Sequence, residues 1–370
     1  MNATSSKIIR TIAILVIIFV IIGLGAWYVV EYGFNGSNGF RGLSFSTTGR
    51  HRIEALTGSY EERERYEEEI DGIKQIQVYW ITSAVDFKVY DDDSILLIES
   101  CQRELTEGEN LAYTIENGIL KIRELEDESK LWIAPKKVVI YIPENLLESL
   151  EVLKSDCSLT DITAQDITAD TIYLESDTGR IDVRNLTASQ TITLDTDTAS
   201  ITASNIKAKN IVIDSDTGSI EVNRAVADTK ADIETDTGRV EVNDITTPTL
   251  YCDSDTGRVT CTNYTVDSIT QSSDTGAVET EGTFKTGDFR SNTGSVTMKC
   301  ATLPESIYAK SDTGSIHLYI ARNDNLVVSY KTGTGDFTSE FPVLVSSSGD
   351  AAITLKTATG NIYIKPYEAE

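Results

Sequence analysis

One hexapeptide, Ser-Asp-Thr-Gly-Ser/Arg-Ile/Val, recurs eight times with small variations between Ser176 and Ile316, and no other feature limits the fold so tightly. Its glycine position falls at Gly179, Ala199, Gly218, Gly238, Gly257, Gly276, Gly294 and Gly314, giving spacings of 20, 19, 20, 19, 19, 18 and 20 residues. Two looser copies follow, around Thr334-Gly335 and Thr359-Gly360. A fixed period of this length is the mark of a stacked array.

Apolar residues keep the same offsets from the glycine. Two residues on stand Ile181, Ile201, Ile220, Val240, Val259, Val278, Val296 and Ile316, and four on stand residues such as Val183, Val222 and Cys261. Seven and five before stand pairs such as Ile172 with Leu174 and Ile211 with Ile213. This is period-two alternation on both sides of a turn, and a further apolar site seven on (Leu186, Ile206, Ile245, Tyr264) fits a second corner. Each repeat reads as strand, tight turn, strand, corner. One unit leaves its apolar edge bare, while stacked units about 4.8 Å apart share a continuous core. The expected fold is all-β, a parallel β-solenoid (β-helix) with about 19–20 residues per rung. A sandwich or propeller calls for longer repeats or more frequent turns.

Residues 11–30 carry no charge and at 1.5 Å per residue reach roughly 30 Å, the thickness of a bilayer's hydrocarbon. Lys7 and Arg10 precede them and Glu31 follows, so the expectation is one transmembrane helix with the N-terminus cytoplasmic and the rest outside the cell. A cleaved signal peptide is the rival, although its apolar core is usually shorter. The division that follows is a cytoplasmic tip (1–10), the helix (11–30), a spacer (31–69), irregular early β coils (70–154) and regular solenoid repeats (155–366). Within the spacer, the charge-dense stretch from Glu61 to Glu69 reads as a solvated short helix or a disordered run. The formal net charge of −26 opposes binding to nucleic acid.

The strand ending Val138-Val-Ile-Tyr-Ile-Pro143, a Leu-rich link and tandem Ser-Asp-Thr-Gly-x-Ile units together resemble the bacterial putative-adhesin family of β-strand-repeat domains of unknown function. The resemblance spans about residues 70–366, with Asn117-Gly118-Ile119-Leu120-Lys121-Ile122 matching the strand that often precedes the proline-ended one. It implies a cell-surface or envelope-stress role, often with one membrane helix, and brings no catalytic residues with it. Ala199 and the 25-residue spacing from Gly335 to Gly360 depart from the pattern.

Aspartate stands two before the glycine at Asp177, Asp197, Asp216, Asp236, Asp255, Asp274 and Asp312, with Asn292 completing the column. Stacked carboxylates raise a calcium ladder as one reading. The favoured one is turn chemistry, in which each Asx side chain accepts a backbone N–H two residues on and glycine supplies a positive φ; Asn292 retains that acceptor without charge. Threonine precedes the glycine in all ten copies and reads as a structural stack. Cys252 and Cys261 occupy core offsets as small buried hydrophobes, with a disulfide between them left open, and Cys101, Cys157 and Cys300 make the count odd.

Histidine is nearly absent: His51 lies in the spacer, and His317 falls in an outward column that elsewhere holds Asp182, Glu221, Glu241 and Glu279. The reading is therefore a non-enzymatic, membrane-anchored surface scaffold, an adhesin or an envelope sensor, that needs no cofactor and no metal. Its partner would be a cell-wall component, a cationic peptide or a protein. The alternative is a glycan-acting β-helix enzyme, which would need long loops interrupting one face.

Overall fold

The structure is a computed structural model that describes residues 52–106, 108–125, 132–323, 325–346 and 351–368. The run read as transmembrane (11–30), the tip before it and most of the spacer lie outside these residues. Among the described residues no helix is long and apolar enough to cross a membrane.

The regular part is a coil stacked on itself. Ile181–Thr196, Ile201–Ser215, Ile220–Thr235, Val240–Ser254 and Val259–Ser273 pair parallel in sequence, each with the residue about one period away. Ile181 faces Ile201, then Ile220, Val240, Val259, Val278, Val296 and Ile316, so the column read two residues after the glycine is a physical ladder of buried side chains.

Each rung has three faces where the spacing suggested two strands. Within Ile181–Thr196 the buried residues are Ile181 and Val183, then Leu186 and Ala188, then Ile192, Leu194 and Thr196, and the alternation slips between the groups. The first slip is a residue in the left-handed region, six after the glycine position at Asn185, Asn205, Arg224, Asp244 and Asn263 and at Asp166 in the rung before them, with φ between 55° and 61°. Asn and Asp tolerate this conformation because their short polar side chains bond locally. Here they also bond along the stack, since Asn185 Nδ2 donates to Asp166 Oδ1 (2.6 Å) and Asn205 Nδ2 to Asn185 Oδ1 (2.8 Å).

At both ends the stacking order departs from chain order. Near the C-terminus, Ser306–Thr313 pairs with Ile353–Thr359, which pairs in turn with Val327–Thr334. Likewise Ile316–Ile320 pairs with Ile362–Pro366, and that with Phe337–Ser339. The last rung of the chain thus slides beneath the penultimate one, and the anomalous 25-residue spacing is the length needed to go out and return. At the other end Gln75–Tyr90 lies between Val152–Gln165 on one side and Ile119–Arg123 with Lys136–Pro143 on the other. Here the first rung of the chain sits inside the second.

The early coils also carry antiparallel strands that the expected solenoid lacks. Ser94–Cys101 runs antiparallel to Lys136–Pro143, Glu61–Glu69 antiparallel to Ser94–Cys101, and Ala112–Glu116 antiparallel to Ile119–Arg123. Glu61–Glu69 is therefore a strand, where its charge density suggested a short helix or a disordered run. Distant partners hold it: Tyr66 packs edge-on against Tyr113 at 5.3 Å, and Arg63 reaches Glu104 at 2.7 Å.

Candidate functional site

The stacked turns present one face of the solenoid. Asp177, Asp197, Asp216, Asp236, Asp255, Asp274 and Asn292 are exposed and Asp312 is half-buried, one per rung. The backbone runs on through these turns as a continuation of the sheet, for Thr217 N donates to Asp197 O (3.0 Å) and Thr256 N to Asp236 O (3.0 Å). The threonine stack adds to it: Thr198 Oγ1 and Thr217 Oγ1 bond the aspartate carbonyl one rung back, at 2.9 and 2.7 Å.

The acceptor in the turn is not the aspartate. The amides of Gly179, Gly218 and Gly257 donate to Ser176, Ser215 and Ser254 Oγ at 3.0, 2.8 and 2.7 Å. Those hydroxyls lie three before the glycine, are wholly buried, and donate in turn to the carbonyl one rung back, as Ser254 Oγ does to Gly238 O at 2.7 Å. One hydroxyl satisfies two buried backbone groups, so the aspartate is free to face outward. Glycine too has another reason than the expected positive φ, which is absent at Gly179 through Gly314. A Cβ on Gly257 would stand 1.7 Å from Gly238 O and one on Gly238 1.8 Å from Gly218 O, so it is close approach between rungs that excludes a side chain.

A second carboxylate column, two residues earlier, escaped the sequence reading. Asp156, Glu175, Asp195, Asp214, Glu234 and Asp253 stack in register through six rungs, and the column then passes through Ser272 to Arg290 and Lys310. Its signal was the acidic member of the alternation before each turn. Partial burial, followed by the charge of Asp214, Glu175 and Asp197, pushes Asp195 up to about 6. Glu234 is pushed up to about 7 by partial burial and then by Asp232, Asp214 and Asp253. Burial is the larger cause at both, and the neighbouring carboxylates add to it. Among the described residues no three His, Cys, Asp or Glu side chains converge as a metal site.

The N-terminal end hides a cluster that nothing in the sequence announced. Lys136, 1% exposed, places Nζ 3.3 Å from Glu99 Oε1 and 3.7 Å from Glu124 Oε1, donates to the carbonyls of Glu109 and Leu125, and lies 5.5 Å from the Trp80 ring. Glu124 accepts from the Ile81 and Thr82 amides and the Thr82 hydroxyl at 2.7–2.8 Å. Burial pushes it up to about 7 against the pull of Lys136.

His317 is half-buried and stacks on Tyr363 with ring centres 5.0 Å apart, rather than standing solvated in its column. Burial, then Lys365, lowers its pKa. All five cysteines are buried, and the Sγ atoms of Cys252 and Cys261 lie 3.5 Å apart.

This geometry agrees with a comparison against protein families. The Toastrack DUF4097 family model matches residues 116–235 and again 224–365, about two thirds of the chain. The chain belongs to that family. The Toastrack match is the relationship expected from the repeat, and its two overlapping copies divide the stack within the regular rungs. No curated protein matches the chain. Solved structures similar to it include a putative adhesin from Parabacteroides distasonis, 11% identical, covering 80% of this chain and 96% of its own with a TM-score of 0.42. Another is a putative adhesin from Bacteroides fragilis, 12% identical, covering 81% and 96% with a TM-score of 0.34. A putative cell adhesion protein from Clostridium sporogenes, 9% identical, covers 83% and 100% with a TM-score of 0.21.

Proposed function

We propose that this Toastrack protein is a non-enzymatic surface scaffold, held to the cell membrane by residues 11–30 with its N-terminus cytoplasmic, and that it binds a cationic partner. The observation that carries the reading is the pair of adjacent carboxylate columns, Asp156 to Asp253 and Asp177 to Asp274, at fixed register on a rigid stack. A partner bearing repeated positive charges, such as a basic peptide or a basic protein segment, would discharge that field along its length.

The test is a pull-down from intact membranes with the tethered protein, repeated in rising salt. Recovery of a defined basic partner that depends on residues 155–366 and fades as salt screens the face supports the reading. Turnover of a surface polysaccharide by the purified domain would replace it with the glycan-acting enzyme.

A further inference from the structure

We infer that Cys252 and Cys261 are joined by a disulfide inside the solenoid, stapling the turn of one rung. The two side chains come from the facing core columns that flank the turn. In neighbouring rungs those columns hold Leu194 with Ala203, Ile213 with Val222, and Ile233 with Val242, pairs of aliphatic residues. Both columns change to cysteine in the same rung. There the two Sγ atoms lie 3.5 Å apart, each on a side chain that is wholly buried. The remaining cysteines stand elsewhere in the core, Cys101 and Cys157 toward the N-terminal end and Cys300 two rungs on from Cys261. The sulfurs already stand in contact, about 1.5 Å farther apart than the roughly 2.05 Å of a bonded pair.

The surroundings say when the bond forms. Gln271, stacked on Cys252 in the next rung, is wholly buried and its amide has no hydrogen-bond partner, so the neighbourhood of the two thiols is shut off from solvent. Burial raises the Cys252 thiol well above its ordinary value, which suppresses the thiolate that thiol–disulfide exchange requires. Exchange therefore belongs to the open chain. One thiolate attacks a low-molecular-weight disulfide such as oxidised glutathione and releases one glutathione thiol. The second thiolate then attacks the mixed disulfide and releases the other, so the two electrons and two protons leave with glutathione. Once the next rung closes, the bond is shielded from reductant.

The full chain, kept soluble in mild detergent, is folded from denaturant with mixed reduced and oxidised glutathione, then unfolded in an alkylating agent. Of five cysteines, the three at 101, 157 and 300 are expected to be labelled. Because trypsin cuts after Arg258, the bond appears as two peptides joined through Cys252 and Cys261 that separate on reduction. Alkylation of all five, or a joined pair that includes another cysteine, overturns the inference. In the folded chain the link is expected to survive a reductant that removes it in urea; equal loss in both overturns the shielded placement.

Discussion

The regular middle of the stack and its N-terminal end satisfy buried polar groups in opposite ways. In the middle the buried polar atoms that repeat from rung to rung are small hydroxyls, such as Ser215 and Ser254, each bonded to backbone within its own turn and one rung back. At the N-terminal end they are full charges, with Lys136 set between Glu99 and Glu124. The first solution repeats and is modest at each site. The second does not repeat among the described residues, joins segments far apart in the chain, and leaves a buried charge exposed to loss of its partner.

The largest expected effect breaks the charged end. Lys136→Met should cost about 3–5 kcal/mol in urea unfolding because two carboxylates stay buried without their cation. Adding Glu124→Gln to that variant should recover part of the loss. Equal stability of Lys136→Met and the native chain would make the cluster incidental. In the middle, Gly257→Ala should cost about 1–3 kcal/mol by forcing rungs apart, whereas Ala199→Gly should cost little; both are read from thermal midpoints.

Two neighbouring serine and aspartate variants sharpen the contrast. Ser254→Ala leaves the Gly257 amide and Gly238 carbonyl unpaired and should cost about 1–3 kcal/mol. Asp255→Ala, one residue on, should stay within about 0.5 kcal/mol. The reverse order would restore the aspartate as the acceptor of the turn.

Acidity should act on the charged end and the carboxylate face together. Glu124 and Glu234, about 7 when folded, lie above the ordinary 4.5, so the folded state holds more protons. Their contribution is fully present below pH 4.5 and is lost as pH rises through 7, so the thermal midpoint should climb between pH 8 and pH 5. Glu124→Gln should flatten part of that climb. The smallest effect concerns Arg224, which holds a φ of 57° at a corner where all five other rungs from Asp166 to Asn263 carry Asn or Asp. Arg224→Asn should gain up to about 1 kcal/mol in urea unfolding.

The same contrast explains what could be read from the chain alone. Ile181, Val183 and their successors repeat eight times at fixed offsets, so the stack and its core columns were legible before any coordinates. The spacing locates the turn but not its acceptor, because Ser254 and Asp255 are both side-chain acceptors and spacing does not say which one points inward. Asn185 and Asn205 recur less strictly than the glycine, with Arg224 in their column, and they lie among polar residues where a corner is easily taken for strand. Lys136, Glu99 and Glu124 repeat nowhere, and their meeting depends on antiparallel strands that set Ser94–Cys101 against Lys136–Pro143. The second carboxylate column was hidden by its ordinariness, since an acidic residue on the outer side of a strand is the default.

The out-of-order rungs have a consequence for how such a chain is made and how its length changes. During synthesis the edge of Ser306–Thr313 stays uncovered until residues 353–359 leave the ribosome, so the growing stack carries an open flank until that rung is in place. Gene duplication faces the matching constraint. A repeat added at either end would fall outside the interleaved closures, while one added between Ile181 and Ser273 meets the same neighbour above and below. Longer or shorter relatives should therefore differ by whole rungs in the middle and keep both closures.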